Sequence, residues 1–308
     1  MDLAGRRIAV TGATGFVGRD LVRALLGRGA RVVAVVRDSA RAQALEAQGA
    51  EVRVGDLGDE DALARAFRGV DAVYANAGLV SIGQHALSTL IEVNVEGAAR
   101  VLRAMERAGV ERVVMTSSAT AYAPRRDHTY REDHPLRDAS RRVTRLGYYA
   151  LSKALAEREA WRLAGELGLS LTTVRPHQIH GPFDGVGFTY WTRLAMRPPV
   201  TFYPSGLYLP SVYVGDLTEA MCRMLERPAA AGKAYNIAGD GDVSYWDLLE
   251  AYARAGGHRP RWVIPVPVPL RRRYDTRRAR HDLGFTNRPL VESFAELLQI
   301  EGGVQQRR

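Results

Sequence analysis

A tyrosine and a lysine stand four residues apart at Tyr149 and Lys153, in the segment Tyr-Ala-Leu-Ser-Lys. Residues with this spacing lie on one face of a helix, so the lysine ammonium can approach the phenol. An unperturbed tyrosine titrates near pH 10, and a neighbouring cation lowers that pKa toward neutrality. The pair therefore predicts a group that exchanges a proton with a substrate. Lysine is rare here, because only Lys153 and Lys233 contribute to the 43 lysines and arginines, which indicates a need for a compact ammonium at position 153.

A glycine-rich turn lies near the start of the chain, where Gly12, Gly15 and Gly18 follow one another at intervals of three. The apolar run Arg7–Thr11 precedes the turn and a helical pattern at Asp20–Arg28 follows it. Glycine permits a tight turn and the close approach of a pyrophosphate, which then rests on the helix N-terminus. The strand–turn–helix context predicts a dinucleotide site. Further cofactor-binding candidates in this turn are Thr14, Phe16 and Val17.

The end of the second apolar run indicates which dinucleotide is bound. An NAD site usually has an acid there, which binds the adenosine ribose hydroxyls. Here Val36 is followed by Arg37, whose guanidinium suits a 2′-phosphate. Asp38 lies beside it and keeps NAD as the alternative. The sequence thus favours NADP, bound as NADPH, over NAD.

Strand-like and helix-like segments alternate through the first half of the chain. Strands are expected at Arg7–Thr11, Arg31–Val36, Glu51–Val54, Ala72–Ala75, Arg112–Thr116 and Ser170–Val174. Helices are expected at Asp20–Arg28, Glu60–Phe67, Leu87–Ala108 and Tyr149–Leu167. This alternation is typical of an α/β fold with a doubly wound parallel sheet, the Rossmann arrangement.

The later part of the chain differs in composition. Phe183–Tyr208 holds 7 aromatic residues in 26, which either line a pocket for an apolar substrate or form ordinary core. Val263–Leu270 repeats proline and predicts polyproline-like extended chain rather than a helix or central strand. We therefore expect a dinucleotide-binding core at 1–176, to which 211–238 returns, and a smaller substrate-binding lobe at 177–210 and 239–308.

The composition excludes several classes of protein. The single cysteine, Cys222, rules out an internal disulfide framework and a cysteine zinc site, and no metal-ligand spacing occurs. The net charge of +9 is not accompanied by a zinc-finger or RNP-type motif, so no nucleic-acid partner is expected. No run of 18 apolar residues occurs, and we expect a cytoplasmic protein without a membrane partner.

Several motifs, in this order along nearly the whole chain, resemble the extended short-chain dehydrogenase/reductases of the NAD(P)-dependent epimerase/dehydratase superfamily. They are TGATGFVG, GDL at Gly55–Leu57, TSSATAY at Thr116–Tyr122, YALSK, RPHQIHGP at Arg175–Pro182, PSVYVGDLTEA at Pro210–Ala220, AYNIAG at Ala234–Gly239 and RARHDLGF at Arg278–Phe285.

The resemblance implies a role for each matching residue. Tyr149 matches the general acid–base, Lys153 the residue that binds the nicotinamide ribose and lowers the phenol pKa, and Ser118 the group that hydrogen-bonds the reacting oxygen. Asn94 matches a helix asparagine associated with the site. The cofactor-binding positions implied in addition are Asp56 and Leu57 beside the adenine, Ala75, Asn76 and Ala77 after the fourth strand, and Pro176, His177 and Ile179. The substrate-contact candidates are Ser118, Tyr122, His177, Phe183, Tyr190 and Trp191.

The implied reaction is hydride transfer from NADPH to a ketone or aldehyde of a largely apolar small molecule, as in the dihydroflavonol-reductase and 3β-hydroxysteroid-dehydrogenase branches. A nucleotide-sugar epimerase or dehydratase is the alternative, although Gly206–Tyr213 lacks the basic residue that such enzymes use for the diphosphate. A non-catalytic NADP-binding regulator is the second alternative. The family often forms homodimers through the helices that match Leu87–Ala108 and Tyr149–Leu167, and we expect the same here.

Overall fold

The computed structural model describes residues 1–125, 127–140, 143–185, 187–239 and 242–305. Positions 186, 240–241 and 306–308 of the predicted second lobe therefore lie outside the described residues. The strands, in chain order, are β1 (Arg7–Thr11), β2 (Arg31–Val36), β3 (Glu51–Val54), β4 (Ala72–Ala75), β5 (Arg112–Thr116), β6 (Thr129–Tyr130), β7 (Ser170–Pro176), β8 (Ile179–His180), β9 (Val200–Tyr208), β10 (Val212–Tyr213), β11 (Ala234–Ile237), β12 (Trp262–Arg271) and β13 (Arg273–Tyr274).

Seven of these strands form one parallel sheet in the order β11-β7-β5-β4-β1-β2-β3. The strand order reverses direction between β1 and β4, as in a doubly wound sheet. The α/β class and the Rossmann arrangement expected from the sequence are confirmed. Five of the six predicted strands have the predicted bounds, and β7 continues two residues further, to Pro176.

The helices are α1 (Phe16–Leu26), α2 (Gln43–Glu46), α3 (Glu60–Ala66), α4 (Leu87–Ile91), α5 (Gly97–Arg107), α6 (Tyr148–Glu166), α7 (Phe188–Met196), α8 (Val214–Glu226), α9 (Tyr245–Arg254), α10 (Arg277–Leu283) and α11 (Leu290–Gln305). Successive strand side chains point to opposite faces of the sheet. Ile8 and Val10 of β1 therefore join a core with α1, α8 and α10, while Ala9 joins a core with α3, α5 and α6. Because both faces are covered, the central strands are largely apolar.

A π-helical turn at Glu92–Glu96 separates α4 from α5. The prediction of one continuous α-helix over Leu87–Ala108 is therefore wrong at Glu92–Glu96. The spacing of apolar residues does not reveal the extra residue that a π-helical turn contains. Such turns occur frequently at functional sites. This one carries Asn94, whose side chain is buried.

A second cluster of apolar side chains lies among α7, α9 and α11 and includes Phe188, Leu248 and Phe294. Beside it, β9 and β12 form a separate two-stranded parallel ribbon. The polyproline-like chain predicted at Val263–Leu270 is corrected, because this segment pairs as part of β12. Prolines are tolerated there since a two-stranded ribbon leaves alternate N–H groups without a strand partner.

One face of this ribbon is apolar and exposed. Trp262 pairs with Val200, Ile264 with Phe202, and Val266 with Pro204, so these side chains share a face. Phe202 is 65% exposed and Trp262 is 60% exposed. We call Val200, Phe202, Trp262, Ile264 and Val266 the ribbon face. The opposite face packs toward α9, where the rings of Tyr203 and Trp246 are 5.0 Å apart.

Within the described ranges, no helix combines the length and apolar character needed to cross a bilayer. Cys222 lies on α8 as a fully buried free thiol, where it packs as a small apolar side chain.

Candidate active site

The glycine turn between β1 and α1 has the shape of a phosphate cradle. Gly12 has φ of +66°, and a Cβ there would lie 2.8 Å from the Ala77 Cα. A Cβ on Gly18 would lie 2.1 Å from the Gly12 carbonyl oxygen, so no side chain fits at either position. Gly15 precedes α1 and provides no capping side chain, which leaves the first N–H groups of the helix free for an anion. These residues fit a dinucleotide pyrophosphate.

The segment after β4 is fastened to its two neighbouring strands. The Thr11 hydroxyl of β1 accepts hydrogen bonds from the backbone N–H groups of Asn76 and Ala77, each at 3.1 Å. The Asn76 side-chain oxygen accepts one from the Thr116 hydroxyl of β5 at 3.0 Å. Ala75 ends β4 directly before this segment. The segment Ala75–Ala77 therefore has a fixed backbone beside the glycine turn.

Arg37 lies just after β2 with its side chain 76% exposed, and its Nε is 4.0 Å from an Asp56 carboxylate oxygen. The neighbouring acid, Asp38, accepts a hydrogen bond from the Ala40 N–H at 3.0 Å and so caps its own turn. Asp56 similarly accepts one from the Gly58 N–H at 2.7 Å. The Leu57 side chain packs against Gly97 on α5. At this edge of the sheet, the Arg37 guanidinium is therefore more available to a ligand than the carboxylates of Asp38 and Asp56.

Tyr149, Lys153 and Ser118 meet where β5 ends against the first turns of α6. The Lys153 Nζ donates a hydrogen bond of 2.5 Å to the Thr116 carbonyl, the last residue of β5. Ser118 begins the 3₁₀ turn Ala119–Ala121, with its Oγ 2.8 Å from the Thr120 Oγ1. Lys153 and Ser118 are buried, and Tyr149 is partly buried. A carbonyl oxygen near Tyr149 and Ser118 would meet two hydroxyl donors.

The pKa values of the tyrosine and the lysine differ from the sequence expectation. Burial raises the pKa of Tyr149 to about 12, and its hydrogen bond with Ser118 acts in the opposite direction. Burial lowers the pKa of Lys153 to about 8, and the Glu157 carboxylate opposes this. The phenol pKa is therefore raised rather than lowered as the sequence predicts, and the Lys153 ammonium donates a hydrogen bond to the Thr116 carbonyl. Tyr149 is therefore a protonated donor at neutral pH.

Asn94 connects the loop after β4 to α6. Its side-chain oxygen accepts a hydrogen bond from the Leu79 N–H at 2.7 Å. Its amide nitrogen donates to the Leu79 carbonyl and to the Ser152 hydroxyl, each at 3.0 Å. Ser152 precedes Lys153, so the π-helical turn helps to fix the position of the lysine.

Two of the substrate-contact candidates are buried in the protein interior. The Tyr122 hydroxyl donates to the Asn236 side-chain oxygen and accepts from Arg175, both at 2.7 Å. The His177 Nδ1 donates to the Pro210 carbonyl at 2.9 Å, and burial lowers the pKa of His177 to about 4. The prediction that Tyr122 contacts substrate is corrected, since its ring and its hydroxyl are both enclosed. His177 is a neutral, enclosed side chain, while its backbone and those of Pro176 and Ile179 follow the sheet edge.

The aromatic residues of Phe183–Tyr208 are of two kinds, since some belong to the core and others are exposed where they can line a pocket. Phe188 is buried in the second apolar cluster. Phe183, Tyr190 and Trp191 are each between 42% and 50% exposed. The last three are available for a ligand, and their contact with substrate stays a prediction.

A buried ion pair next to this site escaped the sequence analysis. Glu157 is fully buried, and its Oε1 accepts a 2.7 Å hydrogen bond from the Arg175 guanidinium. The available signal was the four-residue spacing of Lys153 and Glu157, which puts the carboxylate one turn beyond the ammonium. A second missed feature is a group of exposed aliphatic side chains, Val80, Ile82 and Leu146. A Cβ on Gly83 would be 3.5 Å from the Leu146 side chain, so Leu146 lies against the loop that carries the other two.

Comparison with known proteins gives consistent results. The sequence model of the NAD dependent epimerase/dehydratase family matches residues 8–238. Sterol demethylase protein B of Methylococcus capsulatus is 31% identical over 291 residues, covering 87% of this chain and 83% of that protein. Dihydroflavonol 4-reductase of Zea mays is 32% identical over 304 residues, covering 91% and 84%. A solved structure, MoeE5 in complex with UDP-glucose and NAD, is 26% identical with a TM-score of 0.80, covering 97% of this chain and 99% of that one.

Proposed function

Because the chain belongs to the NAD dependent epimerase/dehydratase family and is an NAD(P)-dependent oxidoreductase, we propose that it uses NADPH to reduce a ketone or aldehyde of a largely apolar small molecule. The observation that carries this proposal is the meeting of Tyr149, Ser118 and Lys153 at the end of β5. Two hydroxyl donors and one ammonium there suit a carbonyl that becomes an alkoxide. The similarity to a dihydroflavonol 4-reductase supports the same direction of reaction.

The cofactor preference rests on Arg37. Its exposed guanidinium can form paired, charge-assisted hydrogen bonds with a 2′-phosphate. Asp38, which could have bound ribose hydroxyls instead, is engaged with the Ala40 N–H. Asp56 would lie beside the adenine, and the turn Gly12–Gly18 would hold the pyrophosphate.

In the mechanism that follows, the dinucleotide supplies the hydride and the protein supplies orientation and protons. Ser118 donates a hydrogen bond to the carbonyl oxygen and holds it near the Tyr149 phenol. Tyr149, whose pKa is about 12, is protonated at neutral pH and delivers its proton as negative charge develops on that oxygen. Lys153, one helical turn from Tyr149, would stabilise the resulting phenolate by its positive charge and would hold the ribose hydroxyls of the bound dinucleotide. Asn94 fixes the loop and helix that carry these groups.

The apolar character of the substrate is supported by the surface around Tyr149. Val80, Ile82 and Leu146 are exposed aliphatic side chains, and Leu146 precedes Tyr149 by three residues. Ligand pockets are lined mainly by apolar groups, with few polar groups to fix orientation. Phe183, Tyr190 and Trp191 are further exposed aromatic candidates for contact with the substrate.

A nucleotide-sugar epimerase or dehydratase is the second candidate, favoured by the likeness to MoeE5. Two arginines could replace the missing diphosphate ligand of Gly206–Tyr213. Arg193 forms an ion pair with Glu301, so its positive charge is already neutralised. Arg197 is exposed and lies at the end of α7. Arg193 and Arg197 therefore give only weak support to a diphosphate site. Net reduction has the stronger support of Ser118, Tyr149 and Lys153.

The cofactor proposal is tested by fluorescence titration with NADPH and, separately, with NADH. We expect tighter NADPH binding in the wild type, and a loss of about 10- to 100-fold confined to NADPH in Arg37→Ala, since one charged hydrogen-bond partner of a phosphate contributes about 1.5–3 kcal/mol. Arg68→Ala is the matched control, because Arg68 is exposed near the opposite end of the strands. Equal or better binding of NADH, or tightly retained NAD after purification, would instead favour the epimerase or dehydratase.

A further inference from the structure

The interior behind Lys153 holds a polar network that the proposed reaction does not yet use. Glu157 lies on α6, one helical turn beyond Lys153, and its carboxylate is enclosed. The Ser117 hydroxyl donates to it at 2.5 Å and the Thr173 hydroxyl at 2.9 Å. Arg175 donates through its Nε at 3.0 Å and through a terminal nitrogen at 2.7 Å. Both carboxylate oxygens are thus held by β7 and by Ser117, the residue just after β5.

The partners of Glu157 are neighbours of the proposed active-site residues in the chain. Ser117 directly precedes Ser118, at the end of β5. Arg175 and Thr173 belong to β7, the strand that leads to His177. Arg175 also donates to the Tyr122 hydroxyl at 2.7 Å and to the Glu132 carbonyl at 3.0 Å, which fixes the guanidinium from its other side. A single carboxylate therefore sets the spacing of the elements that carry Ser118, Tyr149 and Lys153.

Among the residues that the structure describes, Glu157 is the charged group that acts on the Lys153 ammonium. From β5 it meets the neutral Thr116 carbonyl, and from the loop after β4 it meets Gly78, where a Cβ would lie 3.9 Å from Nζ. The π-helical turn contributes the neutral Asn94. On α6 the titratable neighbours within the described residues are Tyr149, protonated at neutral pH, and Glu157. Arg175 of β7 lies behind Glu157 and keeps that carboxylate ionised.

We propose that Glu157 is a positioning residue for the reduction, because its buried carboxylate keeps Lys153 an ammonium cation and fixes the strand ends beside it. This inference rests on the proposed function for its role in turnover, although the charge on Lys153 can be measured without turnover. A buried lysine without such a partner loses its proton near neutral pH. The phenolate of Tyr149 would then form next to a neutral amine.

The electrostatics of the pair agree with this role. Burial opposes ionisation of Glu157, yet Arg175 and the Ser117 and Thr173 hydroxyls hold the pKa of this carboxyl below its usual value. Burial lowers the pKa of Lys153, and the Glu157 carboxylate acts against that change, so that a pKa of about 8 results. The ammonium form is then the main one at pH 7.

The test uses the fact that the chain has two lysines. Protein labelled with ¹³C at lysine Cε gives two resonances, and Lys233, partly exposed and paired with Asp282, is the internal reference. We expect Glu157→Gln to lower the Lys153 titration by about one pH unit or more, since a buried opposite charge shifts a pKa by about 1–3 units. Thr173→Val is the matched control, because it removes a hydrogen bond to the same carboxylate and leaves the charge. It should move the Lys153 titration by no more than about 0.3 unit.

The kinetic readout is the pH profile of kcat/KM for ketone reduction, which reports groups of the free enzyme. The wild-type profile should fall above pH 8, as Lys153 loses its proton. In Glu157→Gln, the falling limb of the kcat/KM profile should move to lower pH by as many units as the titration of the Lys153 resonance. Thr173→Val should lower the stability of the protein but leave this limb at the wild-type pH. A failure of the proposed function would abolish reduction of every ketone and leave the resonance shift intact.

An unchanged Lys153 titration in folded Glu157→Gln would overturn the inference. If that variant does not fold, the wild type still decides. A Lys153 titration near pH 8 supports the inference, whereas a value below about 6, as for buried lysines without a partner, overturns it.

Discussion

Tyr148 and Tyr149 stand side by side at the start of α6, but only Tyr149 has Lys153 one helical turn away. Removing the Tyr149 hydroxyl takes away the proposed proton donor without changing the shape of the helix. We expect Tyr149→Phe to lower kcat for reduction by about 10²–10⁴-fold, the usual contribution of general acid catalysis.

The affinity of Tyr149→Phe for NADPH, measured by fluorescence titration, should stay within about twofold of the wild type, because the phenol is proposed to act on substrate. Tyr148→Phe is the matched control and should retain near wild-type turnover. Full activity in Tyr149→Phe would rule out the assigned role.

Spacing alone predicted which side chains meet, but not what each one contacts. The four-residue interval correctly put Tyr149 and Lys153 on one side of a helix. The direction of the Lys153 ammonium depends on a carbonyl 37 residues earlier in the chain, at the end of β5, which no local pattern reveals. Tyr122 was misread for the same reason, since its partners Arg175 and Asn236 come from distant strands.

The turn between β1 and α1 has no space for a side chain at Gly18. A Cβ on Gly18 would lie 2.1 Å from the Gly12 carbonyl oxygen and 2.9 Å from the Ala13 Cα, both backbone atoms that cannot move aside. We expect Gly18→Ala to lower the free energy of unfolding by about 1–3 kcal/mol, the usual cost of overpacking. It should also weaken NADPH binding by more than tenfold, because the pyrophosphate contacts depend on that turn.

Chemical denaturation and fluorescence titration measure the two effects of Gly18→Ala. The control is Gly165→Ala on α6, where a Cβ meets nothing within 4 Å. There alanine should stabilise the helix by up to about 1 kcal/mol and leave cofactor binding unchanged. Equal behaviour of the two variants would mean that the turn does not need glycine.

Elements with a clear local pattern of apolar residues were predicted well. Elements that depend on contacts with distant parts of the chain were not. Apolar runs bounded by glycine predicted five of the seven strands of the main sheet with their observed bounds and a sixth, β7, two residues short, whereas β11 was not predicted. The π-helical turn and β12 were missed because each depends on contacts across the fold. Asn94 needs the loop after β4 as its partner, and the proline-rich Trp262–Arg271 becomes a strand only beside β9.

At the scale of the whole molecule, the ribbon face is an apolar surface that the rest of the described chain leaves open. Such surfaces bind apolar dyes in the native state. We expect Phe202→Ser and Trp262→Ser together to lower the fluorescence of bound anilinonaphthalene sulfonate by at least about twofold. Val54→Ser, at another exposed valine, is the control and should change little. Undiminished fluorescence in the double variant would locate the dye elsewhere, such as at the exposed aliphatic side chains Val80, Ile82 and Leu146.

The two-lobed division expected from the sequence stays a prediction, and the packing of the described residues is compatible with it. The sheet and its helices bury two apolar clusters, and α7, α9 and α11 bury another. The boundaries at 176, 210 and 238 stay predictions, since they describe chain segments rather than packing.

The buried pair of Glu157 and Arg175 also restricts how this protein can evolve. Leaving either charge alone in the interior costs about 3–5 kcal/mol, a large part of the 5–15 kcal/mol by which a typical fold is stable. A lineage that replaces one of the two residues must therefore pass through a weakened ancestor or replace both within a short time. We expect the two positions to be inherited together or lost together among descendants, even though they lie 18 residues apart in the chain.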